Sequence, residues 1–191
     1  MVIFSGEAFT QCPLTVDHKV LKNMFPEIKA GMLDQGTAIG LGLASAVSRL
    51  KDSKAKSKVI ILISDGVSNV GEITPLTTNK IAQTYGLRVY TIGVGSKGKA
   101  LQPVAMYPNG QLEYDYVDVE IDEAVMNKIS QMTGGKYFRA TDKESLSNMV
   151  NSLKQIEHKN GYIETETILE SNEFEFFNTS VSMHFVEHKS E

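Results

Sequence analysis

Two side chains, Thr37 and Asp65, stand where hard oxygen ligands would be useful. Asp65 follows the uninterrupted run Lys58 to Ser64 and precedes Gly66. Thr37 ends the loop Asp34-Gln35-Gly36-Thr37 and opens a segment of helical periodicity. An aspartate and a threonine converging on one edge of a sheet would suit Mg²⁺, which keeps several waters and takes few protein groups. Each residue also has a plain structural explanation. A threonine before a helix is a good N-cap, and Asp-Gly is a common turn pair. Taken singly, the structural explanation is the better one for both; their order and context shift the balance toward a site.

Enzymatic alternatives fail on particular residues. The segment ending in Ser64-Asp65-Gly66 imitates the Asp-x-Asp-Gly strand end of haloacid dehalogenase-type phosphatases, but Ile63 stands where the nucleophile belongs. An aliphatic side chain cannot accept a phosphoryl group. Gly36, Gly40 and Gly42 imitate a dinucleotide-binding loop, yet no strand immediately precedes them, and that fingerprint needs strand, turn and helix in order. Close packing of a helix on a sheet explains these glycines better. Cys12 is the one cysteine, so no intrachain disulfide is possible. His18 lies six residues on, with no further catalytic signature beside it. There is no Gly-x-Ser-x-Gly elbow, zinc spacing or P-loop. The formal net charge of −4 argues against a nucleic-acid surface. The basic cluster Lys51, Lys54, Lys56 and Lys58 is mixed with Asp52 and serines and reads as a solvated helix end. The longest apolar run, Val59 to Ile63, is too short to span a bilayer, and the N-terminus carries no signal-peptide pattern.

The elements that must position Thr37 and Asp65 alternate along the chain of 191 residues. Met1 to Phe4 reads as a short buried strand that turns at Ser5-Gly6. Thr15 or Asp17 caps a helix limited by Pro26. Ala38 to Leu50 is a helix with Ile39, Leu43, Val47 and Leu50 on one stripe. Lys58 to Ser64 and Leu87 to Val94 are runs suited to strands buried on both faces, the second closed by Gly95-Ser96. Thr77 to Tyr85, Asp122 to Thr133 and Thr141 to about His158 read as helices, the last opened by a Thr141–Glu144 capping box. Lys136 to Ala140 is a short strand, and Leu112 to Val119 returns from the Pro108-Asn109-Gly110 turn. Alternating strands and helices predict an α/β fold with a mainly parallel, Rossmann-like sheet and helices on both faces. Residues 1–160 make the domain; 161–191 read as a strand-like, acidic appendage. In such sheets ligands sit beyond the carboxyl ends of the strands, where Ser5, Gly6, Gly36, Gly66 and Gly95 border the Thr37–Asp65 pair.

Three ordered motifs carry a family resemblance over roughly Met1 to His158. "KVIILISDGVSNVG" is similar to the fourth strand and following loop of von Willebrand factor A domains, and "DQGTAIGLGLASAVSRL" resembles their metal-loop threonine and its helix. "VIFSGEAFTQCPLT" resembles the second strand of the bacterial Bat (aerotolerance) subgroup. The resemblance implies a non-catalytic protein-binding module with a metal-ion-dependent adhesion site, in which Thr37 matches the family's threonine and Asp65 its later aspartate. The first motif, Asp-x-Ser-x-Ser, has no counterpart, nor do the first strand and first helix. Mg²⁺, or Mn²⁺ or Ca²⁺, is therefore expected to bind weakly or not at all, and a fragment without a ligand is the other reading of the same fold. The resemblance also implies a protein partner whose carboxylate completes the cation's shell, a membrane-anchored bacterial protein with the domain facing the periplasm, and an association with MoxR-type ATPases.

That first strand lies centrally in the family's sheet, so its place between Val2–Phe4 and Lys58–Ser64 is expected to stand open. Tyr162 to Leu169 and the alternating segment from Val181 are candidates to fill it. A return from the far end of the chain is long, and self-association through the open edges is the expected outcome.

Overall fold

The computed structural model describes residues 1–29, 31–55, 57–65, 67–94, 98–107, 110–119, 122–142, 144–145, 148–149, 151–152, 155 and 181–187. β3 (Lys58–Ser64) and β4 (Arg88–Val94) form its centre. They pair in parallel from Val59 opposite Arg88 to Ser64 opposite Gly93. β7 (Tyr137–Ala140) extends the parallel set on the far side of β4. At the other end β1 (Val2–Phe4) and β2 (Ala8–Thr10) form a tight antiparallel pair. Sequence periodicity could not separate so short a strand as β2 from a loop.

Between the two halves lies β8 (Val181–Glu187), giving the order β2-β1-β8-β3-β4-β7. β8 runs antiparallel to both neighbours, with Met183 opposite Val2 on one side and Leu62 on the other. The expected open place in the sheet is therefore taken by the chain's own far end, and not left to a second chain. Residues 162–169, the other candidate, lie outside the described residues. Because β8 opposes both β1 and β3, those two strands point the same way. The carboxyl ends of β1, β3, β4 and β7 consequently share one edge.

Both faces of the sheet are covered. On one, Val2, Phe4, Ile60, Leu62 and Val89 pack against α2 (Ile39–Leu50), α3 (Pro75–Thr84) and α4 (Glu123–Met132), through Leu43, Val47, Ala82, Met126 and Ile129 among others. On the other, Val59, Ile61, Ile63, Tyr90 and Ile92 meet Phe138 and Met149. Beside them, Met1, Ile3 and Cys12 meet α1 (His18–Met24) and the single turn Phe25–Glu27.

Helix starts follow local chemistry. Asp17 caps α1 by accepting from Lys19 and Val20 N–H, Thr74 caps α3 with Pro75 at its first position, and Asp122 caps α4. Gly86 and Gly134 end α3 and α4 at φ +67° and +75°, the left-handed conformation that glycine adopts without strain. The predicted capping box shifts by one residue. Asp142 accepts from Ser145 N–H, and Ser145 Oγ accepts from Asp142 N–H, so the pair is Asp142–Ser145. Asp142 reaches the third-position amide directly, which leaves Thr141 outside the helix; these hydrogen bonds, led by that from the Ser145 amide, hold the Asp142 carboxyl below its ordinary range.

A central strand cannot lose a ladder bond cheaply, and proline supplies no donor. His184, opposite Ile61, is the test position. His184→Pro, or a chain ended at Asn160, should lose at least about 2–3 kcal/mol in urea unfolding. Unchanged unfolding curves for both would remove β8 from the sheet.

Candidate functional site

Val2 and Leu62 face the same residue of β8, so they stand level, two strand spacings or roughly 10 Å apart. Two residues on, Phe4 and Ser64 are level as well, and Ser5 and Asp65 leave the sheet side by side at its carboxyl edge. The loop before α2 threads across this edge. Ser5 C=O accepts from Ala38 N–H at 2.6 Å, Ser5 Oγ donates to Gly36 C=O at 3.0 Å, and Gly6 N–H donates to Asp34 C=O at 2.7 Å. Ser5, Gly6 and Gly36 thus meet at this edge. Gly66 and Gly95 lie outside the described residues.

Thr37 is held from the other side by the loop that follows Asp65. Its N–H donates to Asn69 Oδ1 at 2.8 Å, and its C=O accepts from Asn69 N–H at 3.2 Å. Asn69 was not singled out in the sequence, although it sits four residues beyond Asp65; an amide that binds one residue's N–H and C=O together leaves no periodic signal. The simple explanation for Thr37 does not hold. α2 begins one residue later, its N-cap is Ala38, and no side chain caps it. The Thr37 hydroxyl is left without a hydrogen-bond partner among the described residues.

Close approach of these loops depends on glycine. A Cβ on Gly6 would lie 2.6 Å from Gln35 C=O, and one on Gly40 would lie 1.8 Å from Ile73 C=O. Gly36, at φ +130°, would press a Cβ to 2.6 Å from Val70. Thr78 Oγ1 donates to Gly40 C=O, tying α3 to the same first turn of α2.

The electrostatics are lopsided. Burial pushes the Asp65 carboxyl above its ordinary value of 3.8, opposed only by its own backbone N–H. No cationic side chain pairs with it among the described residues. Nor do three His, Cys, Asp or Glu side chains cluster anywhere among those residues. Asp65 thus brings a carboxylate, and Thr37 a hydroxyl that no described residue bonds, to the carboxyl edge of the sheet. A separate cleft of roughly 370 Å³, lined by Lys58, Leu87, Arg88 and Gly134 among others, opens at the opposite, amino-terminal edge. No carboxylate among the described residues lines it.

Similarity to known proteins bears on the same residues. Residues 1–152 match the von Willebrand factor type A domain. An uncharacterized protein of Borreliella burgdorferi is 29% identical over 142 residues, covering 74% of this chain and 41% of its own length; the chain spans less than half of that relative. Two crystal structures are similar at 25% identity, each covering 83% of this chain and 78% of theirs. One is the conserved hypothetical protein BatB from Bacteroides thetaiotaomicron, with a TM-score of 0.68. The other is an aerotolerance-related membrane protein from Bacteroides fragilis carrying multiple mutations to serine, with a TM-score of 0.65.

Two outcomes follow. An acid whose folded-state pKa is raised confers most stability below its unfolded pKa and loses it as pH rises through the folded value. Without divalent cations, Asp65→Asn should raise the melting temperature at neutral pH and flatten the decline between acidic and neutral pH; a lowered melting temperature would show that the carboxylate has a favourable partner. Gly40→Ala should cost about 1–3 kcal/mol or more in chemical denaturation, because the clash is with backbone; a neutral result would mean the loop at Ile73 stands away from α2.

Proposed function

Because the chain belongs to the von Willebrand factor type A family, we propose that it is a non-catalytic protein-binding module acting through a partial metal-ion-dependent adhesion site. One observation carries this reading. The Asp65 carboxylate is half-buried, pairs with no cationic side chain among the described residues, and shares the sheet's carboxyl edge with a Thr37 hydroxyl that caps nothing. Such a carboxylate calls for positive charge, and Mg²⁺ or Mn²⁺ would accept these two oxygens together with waters. Ser5, Gly6 and Gly36 border the position; in sequence, Gly66 follows Asp65 and Gly95 follows Val94. A bound ion would supply an open coordination position for a partner's carboxylate. The chain's own residues would set where that carboxylate lands: Asn69 fixes the threonine loop, and Ser5 fixes the spacing to β1.

The alternative phosphatase reading lacks its nucleophile. Ile63, at the position a phosphatase nucleophile would need, is buried within β3. The similarity to BatB and to an aerotolerance-related membrane protein supports a place in a bacterial aerotolerance system beside a membrane; service by a MoxR-type ATPase is proposed from the family resemblance alone. No helix among the described residues is long and apolar enough to cross a membrane.

Two protein oxygens make a weak cage. Mg²⁺ at about 1 mM should leave the melting temperature unchanged, since stabilisation scales with ligand concentration relative to Kd. Mn²⁺ followed by water-proton relaxation should still show binding in the millimolar range, lost in Asp65→Ala. A clear Mg²⁺-induced rise in melting temperature that Asp65→Ala abolishes would mean a tighter site than proposed. No Asp65-dependent Mn²⁺ signal at all would overturn the metal part of the proposal.

A further inference from the structure

β5 (Gly98–Met106) and β6 (Leu112–Val119) form a two-stranded sheet apart from the main one. They pair with each other from Gly98 opposite Val119 to Met106 opposite Leu112. The outer edge of β6 therefore carries N–H and C=O groups with no strand beside them among the described residues. Tyr114 and Tyr116 are 53% and 64% exposed. Two residues apart on a strand, they lie on one face; Glu113 and Asp115, also exposed, lie on the other. Within β6 the sequence has three acids, Glu113, Asp115 and Asp118, and no lysine or arginine.

Single exposed aromatics are ordinary; two in register along an unpaired edge are a docking feature. Exposed edges are commonly guarded by lysine. This edge is guarded by carboxylates, which repel acidic strands and admit cationic ones. We propose that the outer edge of β6 accepts an extended segment of a partner protein in which lysine or arginine alternates with apolar residues. Strand addition satisfies the free backbone groups; the Tyr116 N–H already donates to Asp115 Oδ1 at 2.7 Å. Because side chains of neighbouring strands pair face by face, the cationic residues fall beside Glu113 and Asp115, and the apolar ones beside Tyr114 and Tyr116. The chain's own basic stretch, Lys51 to Lys58, intersperses lysine with aspartate, serine and alanine and lacks the large apolar half of the pattern, which disfavours a second copy. Docking on β6 does not depend on the metal.

The test uses the full chain in EDTA and a fluorescent decapeptide of alternating lysine and valine, read by anisotropy. The peptide should bind, with salt-weakened affinity. A peptide of the same composition in lysine and valine blocks should bind at least about tenfold more weakly. Glu113→Gln with Asp115→Gln, and separately Tyr114→Ser with Tyr116→Ser, should each reduce affinity to a similar degree. Asp52→Asn with Glu144→Gln removes the same charge elsewhere and should leave it within about twofold. Circular dichroism melts confirm that each variant folds, and the carboxamide pair keeps the test valid if the serine pair does not. Equal affinity for the two peptides, no binding, hairpin variants that bind normally, or dimerisation of the chain through this hairpin would each overturn the proposal.

Discussion

The fold turns on one strand that must be paired along both edges. β3 is buried from Val59 to Ser64, so water cannot satisfy its backbone. Each buried N–H or C=O left without a partner costs about 1–3 kcal/mol, and a few such groups rival the net stability of a domain, about 5–15 kcal/mol. β4 satisfies one edge in parallel register and β8 the other in antiparallel register. The choice of β8 over a strand from a second chain is reasonable on entropy. The cost of closing a long loop grows only logarithmically with its length, and an intramolecular strand has no concentration to wait for.

This pairing decides where chemistry can occur. A single antiparallel strand between β1 and β3 keeps those two pointing the same way, so their carboxyl ends open on one edge. The loop from Asp34 to Ala38 then crosses from Ser5 to Asn69 and carries Thr37 toward the Asp65 side. Glycine at 6, 36 and 40 permits the approach. Burial of Asp65 among these loops makes its charge expensive, and that expense is what a bound cation would relieve.

Much of this was legible in the sequence, for physical reasons. The β-branched runs at 58–64 and 87–94 read as strands buried on both faces, and the helices read at 38–50 and 122–133 reappear, each slightly trimmed, as α2 and α4. The resemblance to von Willebrand factor A domains, carried by three ordered motifs, agrees with the family match over residues 1–152. What escaped were features fixed by tertiary contact. β2 is three residues long and exists through its pairing with β1. The start of α2 moved past Thr37 because Asn69 claims that threonine's backbone. The placement of β8 depends on which edge lacks a partner, which no local pattern encodes; the segment from Val181 reads as a strand and as one candidate for the open place, while self-association is the outcome expected from sequence.

The central claim is that Thr37 and Asp65 serve one cation at the carboxyl edge of the sheet. Mn²⁺ broadens nearby amide resonances, so a ¹⁵N-labelled sample titrated with substoichiometric Mn²⁺ locates the ion directly. Broadening should centre on residues 5–7, 34–38, 65 and 69 and vanish in Asp65→Ala. Broadening centred instead on Asp52, or on the hairpin carboxylates Glu113 and Asp115, or unchanged in that variant, would contradict it.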